Sequence, residues 1–144
     1  MISKDIKKHE ETKRSYAICS ADKFWLVEGV YMFDFTRLGE AHKSCQRAFK
    51  DALDNNIEIV YVDNTNLTQK DRSYYYNESF RHQDCEILVR VFHVDVELSI
   101  KRNIHNVPET TILSMAKKID LSPGLYSVSG LDGVYSHHRI GDLQ

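Results

Sequence analysis

No glycine precedes Gly29, and the 144 residues hold only six glycines and two prolines, Pro108 and Pro123. The first absence excludes a glycine-rich loop that could cradle phosphates ahead of the first strand. The second excludes proline-rich low-complexity sequence. Cys19, Cys45 and Cys85 are odd in number and widely separated. They fit neither a disulfide framework nor the paired spacing of a zinc site, and buried reduced thiols are expected. No leading apolar segment resembles a signal peptide, and no run approaches the ~20 residues needed to span a bilayer. A soluble intracellular, cytoplasmic protein with no membrane partner is therefore expected. The formal net charge is -2, which excludes broad electrostatic adhesion to nucleic acid while leaving room for a local basic patch.

What is present is ordinary for one globular domain: 42% hydrophobic and 28% charged residues. Residues 1–15 are polar and read as a frayed arm or a short solvated helix. Tyr16–Cys19 reads as a short strand. Gly29 lies in a connection whose Val30, Tyr31, Phe33 and Phe35 should pack as a flap against the core. Apolar residues spaced three and four apart predict a helix over Arg37–Asn55, with Asn55-Asn56 supplying a left-handed exit. His42, beside that stripe, is expected to be packed or hydrogen-bonded.

Ile57–Val62 is the clearest strand. Thr68, with Asp71 three residues on, predicts the start of a helix reaching about His82. Glu86–Val94 reads as a second strong strand, and Asp95 caps a short helix to Arg102. Pro108 opens another helix, in which Ile112, Met115 and Ile119 share a face. Leu125–Ser129 and Val134–His138 read as a hairpin around Asp132-Gly133. Strands alternating with helices indicate α/β layers on a mainly parallel sheet. The expected divisions are a polar arm over 1–15, a main domain over 16–121 and a hairpin tail over 122–144.

Four segments stand in a telling order: Ser20-Ala21-Asp22-Lys23-Phe24; Tyr31-Met32-Phe33-Asp34 followed by Leu38-Gly39-Glu40-Ala41-His42; Val62-Asp63-Asn64-Thr65-Asn66-Leu67; and Arg102-Asn103-Ile104-His105-Asn106-Val107-Pro108 with Ile112 and Met115. From about Tyr16 to Ile119 the chain resembles the polynucleotide-kinase-like branch of the P-loop kinases, which includes the Nedd-four-binding-protein-like ATPases. The resemblance implies an α/β three-layer sandwich with a mainly parallel sheet, incomplete at its N-terminus and followed by a β-hairpin.

It also implies transfer of the terminal phosphoryl group of ATP, with Mg, to a polynucleotide 5′-hydroxyl or a small hydroxyl substrate. Asp22 matches the general base, which accepts the hydroxyl proton as the oxygen attacks. Asp63 and Asn64 lie where a strand end orients waters on magnesium. Arg102 matches a lid arginine that neutralises charge on the transferred group. Asn64, Asn66 and Trp25 fall on the substrate side, Trp25 standing where some members place an arginine.

The departure from the pattern is the G-x-x-x-x-G-K-[ST] loop, whose backbone and lysine hold the phosphates. Lys13-Arg14-Ser15 is the nearest echo of its end. The family's first strand is central, so its absence would leave apolar edges beside Ile57–Val62 and Glu86–Val94. A truncated product, an incomplete sequence and a degenerate protein completed by a partner or a second copy are three readings of this gap. Expected partners are accordingly a nucleotide, an RNA or DNA end, and a protein or second copy on an exposed sheet edge. The competing function is a non-catalytic protein- or RNA-binding module, using such an edge or the helix with Tyr74, Tyr75 and Tyr76. The plain alternatives stay open: Asp22 as a turn cap, Asp63 as a strand-end turn residue, and Arg102 as a solvated cation near a helix end.

Overall fold

The computed structural model describes residues 2–82, 85–90, 95–103, 106–118, 126–129 and 134–139. They are mixed α/β and fall into two compact units, Met1–Thr65 and Asn66–Gln144.

In the first unit, helix α1 (Ile2–Thr12) leads into β1 (Tyr16–Cys19). After a 3₁₀ turn, Ala21–Trp25, come a hairpin of β2 (Leu26–Val27) and β3 (Val30–Tyr31), helix α2 (Leu38–Asp54) and β4 (Ile59–Val62). β1 and β4 form a two-stranded parallel sheet, with Tyr16 opposite Ile59 and Cys19 opposite Val62. Because strand side chains alternate, Tyr16, Ile18, Ile59 and Tyr61 share one face, and Ala17, Cys19, Val60 and Val62 the other.

The N-terminal residues are more than a solvated arm. The His9 imidazole bonds the Tyr61 hydroxyl at 2.6 Å, and its ring lies 6.3 Å from that of Tyr16. α1 therefore sits on the tyrosine face. It ends in a left-handed Lys13 (φ 56°), with Lys13 N–H donating to Glu10 C=O and Arg14 N–H to His9 C=O. That closes the helix as a Schellman motif without glycine. α2 covers the opposite face with Ala41, Cys45, Phe49 and Ala52 buried. It ends the same way: Asn56 has φ 54°, and Ile57 N–H donates to Ala52 C=O at 3.0 Å. The Asn55-Asn56 exit stands as read. His42, by contrast, is exposed although it flanks that stripe.

Cys19 and Cys45 are buried free thiols, and Cys85 is half-buried. Burial pushes the Cys19 thiol up to about 11 from its ordinary 9.0, the neighbouring Cys45 adding to the rise and Lys23 opposing it. The neutral thiol is thus the form the fold favours. Its contribution to stability is whole below pH 9 and is lost as pH rises towards 11. Urea midpoints are expected to fall over that window, and to fall less in Cys19→Ala than in wild type.

In the second unit, Thr68 and Asp71 make the predicted capping box, Thr68 N–H to Asp71 Oδ2 at 2.9 Å and Asp71 N–H to Thr68 Oγ1 at 3.2 Å. The helix they start, α3 (Gln69–Ser79), buries Tyr75 and Tyr76 along with Arg72 and Glu78. Two of the three adjacent tyrosines are therefore core. β5 (Ile87–Arg90) occupies part of the expected Glu86–Val94 strand, whose residues 91–94 lie outside the described residues.

β5 pairs antiparallel with β7 (Val134–Arg139), which pairs in turn with β6 (Tyr126–Ser129). Parallel pairing is thus confined to β1 and β4 among the described strands. The hairpin's Asp132-Gly133 turn lies outside the described residues. Asp95 caps α4 (Val96–Lys101) through Glu97 N–H at 2.7 Å, and α5 (Glu109–Lys118) follows Pro108. Ile119, expected on its apolar face, lies outside the described residues. Among the described residues no helix is long and apolar enough to cross a membrane.

Candidate functional site

β1 and β4 run in the same direction, so both carboxyl ends open on the same side of the sheet. Crevices there are where open α/β sheets bind ligands. β1 delivers Ser20, whose hydroxyl accepts from Asp22 N–H at 3.2 Å and starts the 3₁₀ turn. This short cap leaves the Asp22 side chain exposed three residues beyond the strand. β4 delivers Asp63, whose N–H donates to Cys19 C=O at 2.9 Å and extends the ladder past the strand end. The Asp63 side chain is exposed as well.

Asn64 joins these pieces. Its Oδ1 accepts from Ala21 N–H at 2.8 Å, and its Nδ2 donates to Cys45 Sγ at 3.3 Å. One amide thus ties the turn carrying Asp22, the end of β4 and helix α2. The Asp22 carboxylate also lies 3.4 Å from the Tyr31 hydroxyl, which donates to it. Burial raises the Tyr31 hydroxyl above its ordinary range, and the Asp22 charge and hydrogen bond reinforce the rise.

Trp25 is only 2% exposed. Its ring meets Phe24 edge-on at 4.9 Å and Phe33 at 5.1 Å, and its carbonyl accepts from Met32 N–H at 2.8 Å. In this fold it is a core residue under the hairpin, with no ring face turned to solvent. The hairpin itself departs from expectation. Instead of packing as a flap, Leu26, Val27, Val30, Met32, Phe33 and Phe35 stay exposed, Phe35 at 76%. Glu28 (φ 51°) and Gly29 (φ 83°) make the tight turn that turns both strands outward together. The Arg37 guanidinium lies 4.9 Å over the Phe24 ring and is also paired with Glu40 at 2.9 Å.

The echo of a phosphate loop lies at the wrong end of the sheet. Arg14 pairs with Glu58 at 3.5 Å, and Ser15 bonds the same carboxylate through N–H at 2.8 Å and hydroxyl at 3.3 Å. These contacts join the amino ends of β1 and β4. Asp22 and Asp63 stand a strand length away, about 13 Å at ~3.3 Å per residue. Arg14 and Ser15 are therefore a strand-start clamp, and Lys13 closes α1.

Asn66 and Arg102 belong to the second unit. Asn66 is half-buried with φ 42°, and Arg72 Nη1 donates to its carbonyl at 2.9 Å. Arg102 closes α4, its N–H donating to Leu98 C=O at 3.0 Å, and its side chain is exposed. His105 lies outside the described residues. Among the described residues no group of three or more His, Cys, Asp or Glu is placed to hold a metal ion.

Sequence reasoning missed the bracing role of Asn64, the Tyr31 contact to Asp22 and the docking of His9 on Tyr61. The first and last join residues far apart along the chain, and no local pattern marks them. The Tyr31 contact does lie within reach of sequence. A tight turn at Glu28-Gly29 folds β3 back on β2 and returns Tyr31 towards Asp22.

No protein-family profile matches the chain. The chain is similar to NEDD4-binding protein 2 of Homo sapiens, with 32% identity over 110 residues. The aligned stretch takes in 74% of this chain and 6% of that protein.

Proposed function

We propose that this chain carries the acceptor-activating part of a P-loop-kinase-type site, built on a sheet descended from that three-layer sandwich. The observation that carries the reading is the pair of exposed carboxylates, Asp22 and Asp63, at the shared carboxyl end of two parallel strands and braced by Asn64. The similarity to NEDD4-binding protein 2 agrees with the branch that the four sequence segments resemble.

In this reading Asp22 takes the proton from an attacking hydroxyl, that of a polynucleotide 5′ end or a small molecule. Tyr31 holds the carboxylate in place from the opposite side. Magnesium needs only one or two carboxylates because it keeps most of its waters and is otherwise held by phosphate oxygens. A lone exposed Asp63 suits that role. The amide of Asn64 serves the backbone of Ala21 and the thiol of Cys45, so Asn64 acts here by fixing the Asp22 turn. ATP with magnesium would supply the terminal phosphoryl group, its bond to the bridging oxygen breaking so that ADP leaves. Arg102 is the lid cation, and Asn66 opens the segment leading to the acceptor side. Lacking a G-x-x-x-x-G-K-[ST] loop, the chain is a slow phosphotransferase on its own.

Calorimetric titration of ATP–magnesium tests the donor side. Binding that weakens in Asp63→Ala and in Arg102→Ala supports the assignment. Binding untouched by both substitutions, or no heat from a folded sample, refutes it.

A second reading has its own observation. The outward apolar hairpin, with Phe35 76% exposed beside Phe33 and Met32, is what a non-catalytic protein-binding module would present.

A further inference from the structure

Among the described residues the parallel sheet of the first unit is guarded on one edge and unpaired on the other. Ile59 N–H donates to Ser15 C=O at 3.2 Å and Asp63 N–H to Cys19 C=O at 2.9 Å, so Ile59, Tyr61 and Asp63 turn their backbone groups towards β1. Alternation then sends the N–H and C=O groups of Val60 and Val62 off the far edge. Among the described residues β4 has no second strand partner. The outer edge of β1 is treated differently: the Lys23 ammonium bonds the Ile18 carbonyl that points off it. Lysine on an edge is a common block to strand addition.

Both faces beside the open edge are occupied. α1 covers Tyr61 through His9, and α2 packs on the Val60 and Val62 face. Among the described residues β4 thus has both faces covered and its far edge unpaired, which makes a slot one strand wide. Its two ends differ in charge. At the amino end Glu58 is matched by Arg14 and Ser15. At the carboxyl end Asp63 is exposed and makes no ion pair with a described residue.

We propose that the open edge of β4 receives an extended strand of another polypeptide. That strand is apolar where it lines Val60 and Val62 and carries lysine or arginine where it passes Asp63. Main-chain bonds would supply affinity and the basic residue register, the usual division of labour in strand addition. A second copy of this chain is the poorer occupant. Two-fold pairing of β4 with itself, Val60 opposite Val62, sets Asp63 opposite the other copy's apolar Ile59, which offers the carboxylate no cation. The inference shares Asp63 with the phosphotransfer reading, but no nucleotide takes part, so peptide binding is measured without one.

The test uses the full chain and two labelled synthetic peptides with one alternating threonine–valine core, ended by two lysines or by two glutamates. Fluorescence anisotropy should show the lysine-ended peptide binding about tenfold or more tightly than the glutamate-ended one. Val60→Pro deletes an outward donor while leaving the bonds to β1, a substitution edge strands tolerate. It should weaken binding about tenfold, whereas Val60→Thr, which keeps the N–H, should not. N-methylation of alternate peptide amides, which leaves the protein untouched, should abolish binding.

Equal affinity for the two peptides, or full binding by the N-methylated one, would overturn the proposal. So would self-association of the chain that Val60→Pro abolishes while neither peptide binds, since that would make the second copy the occupant.

Discussion

Trp25→Ala is expected to cost about 3–5 kcal/mol of folding stability, the range seen when a buried aromatic is truncated to alanine. That is a large part of the roughly 5–15 kcal/mol that holds a domain of this size together. The effect should be large because the ring is the point where three parts of the first unit converge. It ends the 3₁₀ turn that bears Asp22, lies edge-on to Phe24 and Phe33, and sits beneath the hairpin through the bond from Met32 to its carbonyl. The exposed hairpin has little other apolar contact to hold it, so truncation should release the hairpin as well.

Urea unfolding followed by circular dichroism measures the loss. Phe35→Ala, at a residue 76% exposed, is the control and should stay within about 0.5 kcal/mol of wild type. A loss below about 1 kcal/mol for Trp25→Ala would show that the ring is not the keystone of the first unit.

The parts of this fold that sequence foretold are those governed by neighbours along the chain. The Thr68–Asp71 capping box, the Asp95 cap and the left-handed Asn56 exit each join residues no more than five apart, and each is found as read. The α2 stripe follows from helical periodicity alone: Ala41, Cys45, Phe49 and Ala52 are buried as it requires, while Leu38 and Ala48, expected on the same stripe, are exposed. Asp22 and Asp63 at strand ends were likewise readable, because a strand followed by a polar cluster marks where side chains leave the sheet.

What escaped was set by partners distant in sequence. Periodicity marks Ile87–Arg90 as a strand but not its antiparallel neighbour, which lies over forty residues on. A polar N-terminal helix looks solvated until His9 finds Tyr61, 52 residues away. Apolar residues in a connection look like core until the turn at Glu28-Gly29 directs them outward. Asn64 reads in the sequence as a magnesium- or substrate-side residue, and no local pattern marks the bond its oxygen accepts from Ala21 N–H at 2.8 Å.

The other large effect is expected at Asp22. A positioned general base contributes roughly 10²–10⁴ in rate, so Asp22→Asn should lower phosphoryl transfer by that factor. Asparagine has nearly the same shape, and its side-chain oxygen can still accept from the Tyr31 hydroxyl. The Ser20 cap and the Asn64 bond to Ala21 use backbone N–H groups and are unaffected. The variant should therefore melt like wild type, and a lost rate would report proton removal rather than unfolding.

The measurement is transfer of labelled phosphate from ATP–magnesium to a 5′-hydroxyl oligonucleotide and to a small polyol, by wild type and Asp22→Asn side by side. Slow transfer to one acceptor above the protein-free blank is expected, falling to that blank in the variant. Transfer equal in the two proteins, or none from the folded wild type to either acceptor, would contradict it.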